Sequence, residues 1–131
     1  MDKKVSILIQ AYLEKSQQKL RVAGILLKNA DYEDAISRAY YSAFHAAHAV
    51  LLTEGLDPAT HQGLVNLFGL HFVKTGKFER KMGKYLTHLK DDRESSDYEV
   101  YSSVDAATAK HALKEAREFL AASKKYLKKI S

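Results

Sequence analysis

The sequence predicts an all-α protein, because helical signals run along nearly the whole of its 131 residues. Apolar residues recur at intervals of three and four, which is the spacing of one face of an α-helix. The chain has one proline and six glycines. An all-β sandwich needs many tight turns, so these counts argue against that class. We expect one helical domain over residues 1–131.

Composition excludes several kinds of site. Hydrophobic residues make up 46% of the chain and charged residues 28%, which is typical of a globular protein. There is no cysteine, so disulfides, thiolate zinc sites and cysteine nucleophiles are excluded. No apolar run approaches the ~20 residues of a membrane span. We therefore expect a cytoplasmic protein without a membrane partner, and nothing in the sequence predicts a cofactor.

The first predicted helix covers Lys3–Asn29 and is amphipathic. Its apolar residues stand among Lys, Gln and Glu; they are Ile7, Leu13, Leu20, Ile25 and Leu27. A second helix is predicted over Asp31–Glu54. Asp31 is a credible N-cap, and Glu33 and Asp34 place negative charge at the positive end of the helix dipole. Gly55 fits the end of this helix.

Three further helices complete the prediction. Asp57-Pro58 forms a turn, after which the third helix covers Ala59–Lys74. The fourth covers Lys77–Asp91, and the polar residues 92–97 are either its end or a loop. The last helix covers Val104–Lys129, with Ser102 or Ser103 as its N-cap and four lysines near its C-terminus, where the dipole favours cations.

Charge is unevenly distributed along the chain, whose formal net charge is +5. Segments Met1–Asn29 and Ser103–Ser131 each carry +4, whereas Ala30–Asp57 carries −4. One interpretation is internal balance within a bundle plus a solvated lysine-rich face. The other is a phosphate-binding surface.

The second helix combines an apolar face with a polar stripe. The apolar residues are Ile36, Ala39, Tyr40, Ala43, Phe44, Ala47, Val50 and Leu51. They occupy much of the circumference, which predicts that one face meets another chain. The polar stripe beside them consists of Arg38, Tyr41, Ser42, His45 and His48. Steps of three and four residues place its members on one side of the helix.

This stripe contains the residue types of metal-independent phosphodiester chemistry. Arg38 and His45 are two turns apart, roughly 10 Å by helical rise. An imidazole moves protons near neutral pH, and a guanidinium holds a phosphate through two hydrogen bonds. The alternative is a partly buried polar seam at a helix or dimer interface. No carboxylate accompanies His45 and His48 on the stripe, so we expect no metal site.

A second polar cluster comprises Arg93, Asp97, Tyr98 and Tyr101. Arg93 and Asp97 are four residues apart, which allows a local ion pair on a helix. This cluster is either part of a site or a helix end that the ion pair stabilises.

The run DAISRAYYSAFHAA at residues 34–47 resembles the RAYYAxFHAA signature of small prokaryotic HEPN-domain proteins. Later pieces also match this family: Gly55, Thr60-His61, Phe68-Gly69-x-x-Phe72-Val73 and Arg93-x-x-x-Asp97-Tyr98. The resemblance extends from about Leu13 to Leu127. It implies an up-and-down bundle of four core helices plus a short extra helix, commonly a homodimer.

The resemblance also implies three kinds of function. Some HEPN proteins are metal-independent RNases with an Arg-x(4–6)-His motif, in which two protomers converge on RNA. Others are partners of a minimal nucleotidyltransferase, often as toxin and antitoxin, and some of these are adenylylated on a tyrosine near the motif. Still others are treated as nucleotide-binding modules. Here Tyr98 stands where the motif has its His, whereas Arg38 and His45 satisfy the spacing within the second helix.

We therefore expect a nucleotide- or RNA-binding module that acts with a nucleotidyltransferase. The expected binding residues are Tyr41, Ser42, His48, Asp97 and Tyr101. One alternative is an endoribonuclease that uses His45 or Tyr98 for proton transfer and Arg38 or Arg93 for the transition-state phosphate. Another is a structural or regulatory dimer without a nucleotide site, in which His45 and Tyr41 are buried.

Overall fold

The computed structural model describes residues 2–98 and 104–131, except for the side chain of Tyr98. Five α-helices occupy this part of the chain, and it contains no β-strand: α1 (Lys3–Lys28), α2 (Tyr32–Leu52), α3 (His61–Phe68), α4 (Arg80–Tyr98) and α5 (Ala106–Ile130). One π-helical turn, Gly69–Val73, continues α3. The all-α prediction is confirmed.

Helix α2 is the centre of the bundle and packs against α1, α3, α4 and α5. Fourteen of its 21 residues are buried, and six of these are alanines. Because alanine side chains are small, the neighbouring helices approach the α2 backbone closely. The apolar circumference of α2 is thus covered by helices of the same chain, so this pattern does not require a second chain.

Helices α1 and α2 are joined by a tight turn. Ala30 adopts a left-handed conformation (φ 63°), and the Asp31 N–H donates to the Leu26 carbonyl at 2.9 Å. Asp31 occupies the N-cap position as predicted, but its carboxylate accepts no capping hydrogen bond. Glu33 and Asp34 lie in the first turn of α2, where the helix dipole favours anions.

Helix α1 buries only part of its apolar sequence. Leu13, Leu20 and Leu27 pack against the core, whereas Ile7 and Ile25 are 63% and 49% exposed. Ile7 and Ile25 are eighteen residues, or five turns, apart and lie on one outward face. The amphipathic pattern is therefore correct, but two of its five apolar positions face away from the core.

The polar stretch 92–97 is the end of α4 and not a loop. Two ion pairs at four-residue spacing support this helical end: Lys90 with Glu94, and Arg93 with Asp97. Helix α5 begins later than predicted. Its N-cap is Asp105, whose carboxylate accepts the Thr108 N–H at 2.8 Å. The predicted caps, Ser102 and Ser103, lie outside the described residues.

Candidate functional site

A surface pocket of about 350 Å³ opens between α1 and α2. Its lining consists of Lys15 and Lys19 from α1 and of Ser37, Arg38, Tyr41 and His45 from α2. We call it the α1–α2 pocket. It brings together three predicted site residues, Arg38, Tyr41 and His45. The helical spacing of the sequence explains this, because residues three and four apart share one face.

The α1–α2 pocket is positively charged. Three of its six lining residues are cations, and none is a carboxylate. Among residues 2–98 and 104–131, no ion pair involves Lys15, Lys19 or Arg38. The charge is therefore not neutralised within this part of the chain, and the pocket attracts anions. Lysine offers a point charge and arginine a planar fork of donors, and both groups bind phosphate.

His45 lines this pocket with a nearly enclosed ring. Its relative exposure is 9%, and its Nδ1 is buried without a hydrogen-bond partner within the described chain. Burial, together with the charges of Lys15 and Lys19, lowers the pKa of His45 to about 4. The imidazole is thus neutral at pH 7, and an anion in the pocket would raise its pKa again.

Arg93 reaches the same region from α4. Its guanidinium carbon lies 5.2 Å from the ring centroid of Tyr41 and 5.6 Å from that of Tyr40. Such distances are typical of cation–π contacts. Arg93 Nε is 3.1 Å from the Asp97 carboxylate, as an ion pair whose atoms are poorly aligned for a hydrogen bond. Tyr41 therefore connects the α1–α2 pocket to the predicted Arg93–Asp97 cluster.

His61, at the start of α3, belongs to this cluster although the sequence did not single it out as a site residue. Its Nδ1 shares a hydrogen bond of 2.7 Å with the Tyr40 hydroxyl. Burial raises the pKa of Tyr40 above its usual range. Burial and the Arg93 charge lower the pKa of His61, so both groups are neutral at pH 7. The only sequence signal was Thr60-His61 at a helix start.

Two members of the predicted stripe take part in structural contacts instead. Ser42 is fully buried, and the Ser16 hydroxyl donates to its carbonyl oxygen at 2.6 Å. His48 donates from Nε2 to the Asp57 carboxylate at 2.7 Å, and its ring stacks on Tyr12 at 4.3 Å. These contacts match the polar seam that was the alternative interpretation. The Tyr98 side chain and Tyr101 lie outside the described residues.

Elsewhere, a polar cluster links α4 to α5. The buried Glu115 carboxylate lies 3.2 Å from His88 Nδ1 and 3.9 Å from His111 Nε2. Burial raises the pKa of Glu115. Within the described ranges, no group of three or more His, Asp or Glu residues is arranged to hold a metal ion.

None of the helices in residues 2–98 and 104–131 combines the length and apolar character needed to cross a lipid bilayer.

Comparison with known sequences identifies related proteins. The family model described as HEPN domain matches residues 9–126. A UPF0332 protein of Pyrococcus horikoshii is 47% identical over 85 residues, which are 65% of this chain and 60% of that protein. A Methanocaldococcus jannaschii protein named as a candidate toxin is 39% identical over 93% of this chain and 90% of its own. A UPF0332 protein of Thermotoga maritima is 31% identical over 94% of this chain and 93% of its own.

A solved structure shares the fold. The crystal structure of TT1696 from Thermus thermophilus superposes with a TM-score of 0.78 and covers 90% of this chain and 97% of its own. Its sequence identity is 19%, so this likeness concerns the arrangement of the helices alone.

Proposed function

The chain belongs to the HEPN domain family, and on that premise we propose that it is a nucleotide- or RNA-binding module of toxin–antitoxin type. The observation that carries the proposal is the α1–α2 pocket, where Lys15, Lys19 and Arg38 surround His45 and Tyr41 without a carboxylate. Three cations in one pocket suit a ligand with adjacent phosphate groups. Arg93 lies over the Tyr41 ring beside the pocket, with its charge paired to Asp97.

The toxin–antitoxin assignment is supported by relatives. Two Methanocaldococcus jannaschii proteins named as candidate toxins are 39% and 29% identical to this chain over more than nine-tenths of its length. By this relationship the chain is the toxin component and acts with a separately encoded antitoxin. The resemblance described above makes a minimal nucleotidyltransferase the expected partner and a homodimer the expected assembly.

Binding of a fluorescein-labelled, 12-nucleotide single-stranded RNA tests the pocket. We expect Arg38→Ala to weaken binding by about tenfold and to reduce the slope of log K against log salt by about 0.7, the effect of one lost phosphate contact. The matched control is Lys84→Ala, because Lys84 is exposed on α4 and outside this pocket. Equal affinities of the two variants would contradict the proposal.

A metal-independent endoribonuclease is the second candidate, because Arg38 and a neutral imidazole, that of His45, line one pocket. In such an enzyme the base takes the 2′-hydroxyl proton while the 2′-oxygen attacks the adjacent phosphorus. The P–O5′ bond then breaks, and the leaving 5′-oxygen takes a proton from the protonated base or from water. The binding module is favoured because His45 is nearly enclosed and its lowered pKa makes it a weak base.

An RNA-cleavage assay in EDTA separates these two functions. The nuclease predicts products ending in 2′,3′-cyclic phosphate, which disappear in correctly folded Arg38→Ala, His45→Ala or Arg93→Ala variants. The binding module predicts RNA binding without cleavage at high protein concentration. The structural dimer predicts neither. That third function predicts that His45 and Tyr41 are both buried. His45 is buried, whereas Tyr41 lines the pocket and is only partly buried, so the two residues point in opposite directions.

A further inference from the structure

A second groove, of about 610 Å³, runs between α1 and α5 and shares no lining residue with the α1–α2 pocket. We call it the α1–α5 groove. Its charged residues are Arg21 and Lys28 from α1 and Arg117 and Lys124 from α5. The lining contains no carboxylate, and within the described ranges none of these four side chains forms an ion pair.

The remaining lining of the α1–α5 groove is mostly apolar. It consists of Gln17, Leu20, Gly24, Ile25, Leu27 and Leu120. Ile25 is 49% exposed, so a large apolar side chain faces solvent beside four cations. Leu20 and Leu27 pack against the core and Leu120 is buried, so Ile25 is the exposed large apolar side chain of the groove. An exposed apolar side chain surrounded by unneutralised cations suits an amphipathic partner.

Gly24 is a second, independent observation. It lies in the interior of the 26-residue helix α1, where glycine is less favourable than alanine. A Cβ atom placed there meets nothing within 4 Å, so packing within this chain gives no reason for glycine. The missing side chain leaves open space in the groove, and this space allows another backbone or side chain to approach closely.

We propose that the α1–α5 groove binds an amphipathic helix of a partner protein, with leucine-type side chains on one face and carboxylates along its edges. The groove spans Gln17 to Lys28 on α1, which is about 17 Å or three helical turns. The apolar face covers Ile25 and Gly24, and the carboxylates pair with the cations. This proposal takes one premise from the proposed function, namely that the chain acts with a partner protein.

Two other occupants fit this surface less well. A nucleic-acid backbone would pair with the cations but leave the exposed side chain of Ile25 uncovered. A second copy of the chain brings the wrong charge. Its other exposed large apolar residues within the described ranges are Ile7, Leu8, Leu70 and Ile130, and all lie within four residues of lysines. Helix α2, which begins with acidic residues, is mostly buried in its own core.

The test uses two labelled synthetic helical peptides of four turns, one with leucines flanked by glutamates and one with the same leucines flanked by lysines. We expect the full chain to bind the glutamate peptide with micromolar affinity and the lysine peptide at least tenfold more weakly, by fluorescence anisotropy. Failure of the glutamate peptide to bind overturns the proposal.

Gly24→Leu distinguishes docking from folding. Leucine is a better helix former than glycine and has open space here, so thermal unfolding should shift to higher temperature. The same variant should bind the glutamate peptide at least tenfold more weakly, because the new side chain occupies the groove. A folded Gly24→Leu variant with unchanged peptide affinity overturns the proposal.

Reversing the charges of the α1–α5 groove tests whether its partner is negatively charged. Arg117→Glu with Lys124→Glu should abolish binding of the glutamate peptide, whereas the control Lys84→Glu, on α4, should not change it. RNA binding through the α1–α2 pocket should persist in all these variants, so failure here is distinguishable from failure of the proposed function. If the Arg117/Lys124 variant loses RNA but not peptide, or if Gly24→Leu only alters the oligomeric state, the proposal is wrong.

Discussion

The pKa of His45 depends on residues that are distant from it in the sequence. Its ring is 9% exposed, and Lys15 and Lys19, on the preceding helix, line the same pocket. Burial and these charges both disfavour the imidazolium, which lowers the pKa to about 4. An unfolded histidine has a pKa near 6.5. Between pH 4 and pH 6.5 the His45 side chain is therefore mostly neutral in the folded protein and mostly protonated in the unfolded chain.

This difference predicts a loss of stability in acid. Between pH 6.5 and pH 4 the unfolded state binds the proton and the folded state does not, so the free energy of unfolding falls as pH falls through this window. The lowered pKa of His45 corresponds to ~3 kcal/mol at most. We expect His45→Gln to flatten the curve of unfolding free energy against pH between 7 and 4, measured by urea titration.

The control for this pH dependence is Gln18→Ala, at an exposed position of α1. Neither side chain titrates, so this change should leave the slope between pH 6.5 and pH 4 as it is in the wild type. Parallel curves for the wild type and His45→Gln would contradict the assignment.

At the scale of the element, α2 depends on small side chains. Its alanines 35, 39, 43, 46, 47 and 49 have no exposed surface, and the surrounding helices cover the space above them. A protein interior is densely packed, so an added isobutyl group has to displace its neighbours. The stability of the bundle thus depends on the smallness of these residues as much as on their hydrophobicity.

We expect Ala43→Leu to lower the free energy of unfolding by about 2 kcal/mol or more, because overpacking forces strained side chains or shifts of the backbone. The control is Ala11→Leu, the same change at an exposed position of α1, where the effect should stay within about 0.5 kcal/mol. Urea unfolding followed by circular dichroism measures both. Similar urea midpoints for the two variants would contradict this prediction, because they would show that the helices around α2 move to accommodate the leucine side chain.

At the scale of the molecule, the N-terminal half of α1 exposes apolar surface. Ile7 and Leu8 are 63% and 42% exposed. They adjoin Ile9, which packs with Ala49 and Leu52 in a small second core. Neighbouring apolar side chains of this kind are common at protein interfaces. The homodimer expected from the family resemblance would have a suitable contact here.

Light scattering at micromolar concentration should therefore give about twice the chain mass of 14.8 kDa. Lysine at both positions, Ile7→Lys with Leu8→Lys, should yield the monomer mass, since two buried charges would oppose association. Leu70→Lys changes another exposed apolar residue and should leave the dimer intact. A wild-type mass near that of one chain would refute the homodimer.

The sequence by itself determined the fold class, the number of long helices and most of their boundaries. These features depend on apolar spacing, on caps and on glycines such as Gly55, which has a φ of 73° after α2. All are interactions between residues within about four positions of each other, so they can be read locally. The common face of Arg38, Tyr41 and His45 followed from the same local geometry.

Only the tertiary structure decided which members of that stripe share a pocket. The Ser42 carbonyl oxygen accepts a hydrogen bond from the Ser16 hydroxyl, and His48 Nε2 is hydrogen-bonded to the Asp57 carboxylate. Their partners come from α1 and from the segment after α2, and no spacing within α2 indicates them. The same holds for the contributions of Lys15, Lys19 and His61. A pocket forms where separate helices meet, and the packing of complete side chains, not the period of one helix, determines what lies there.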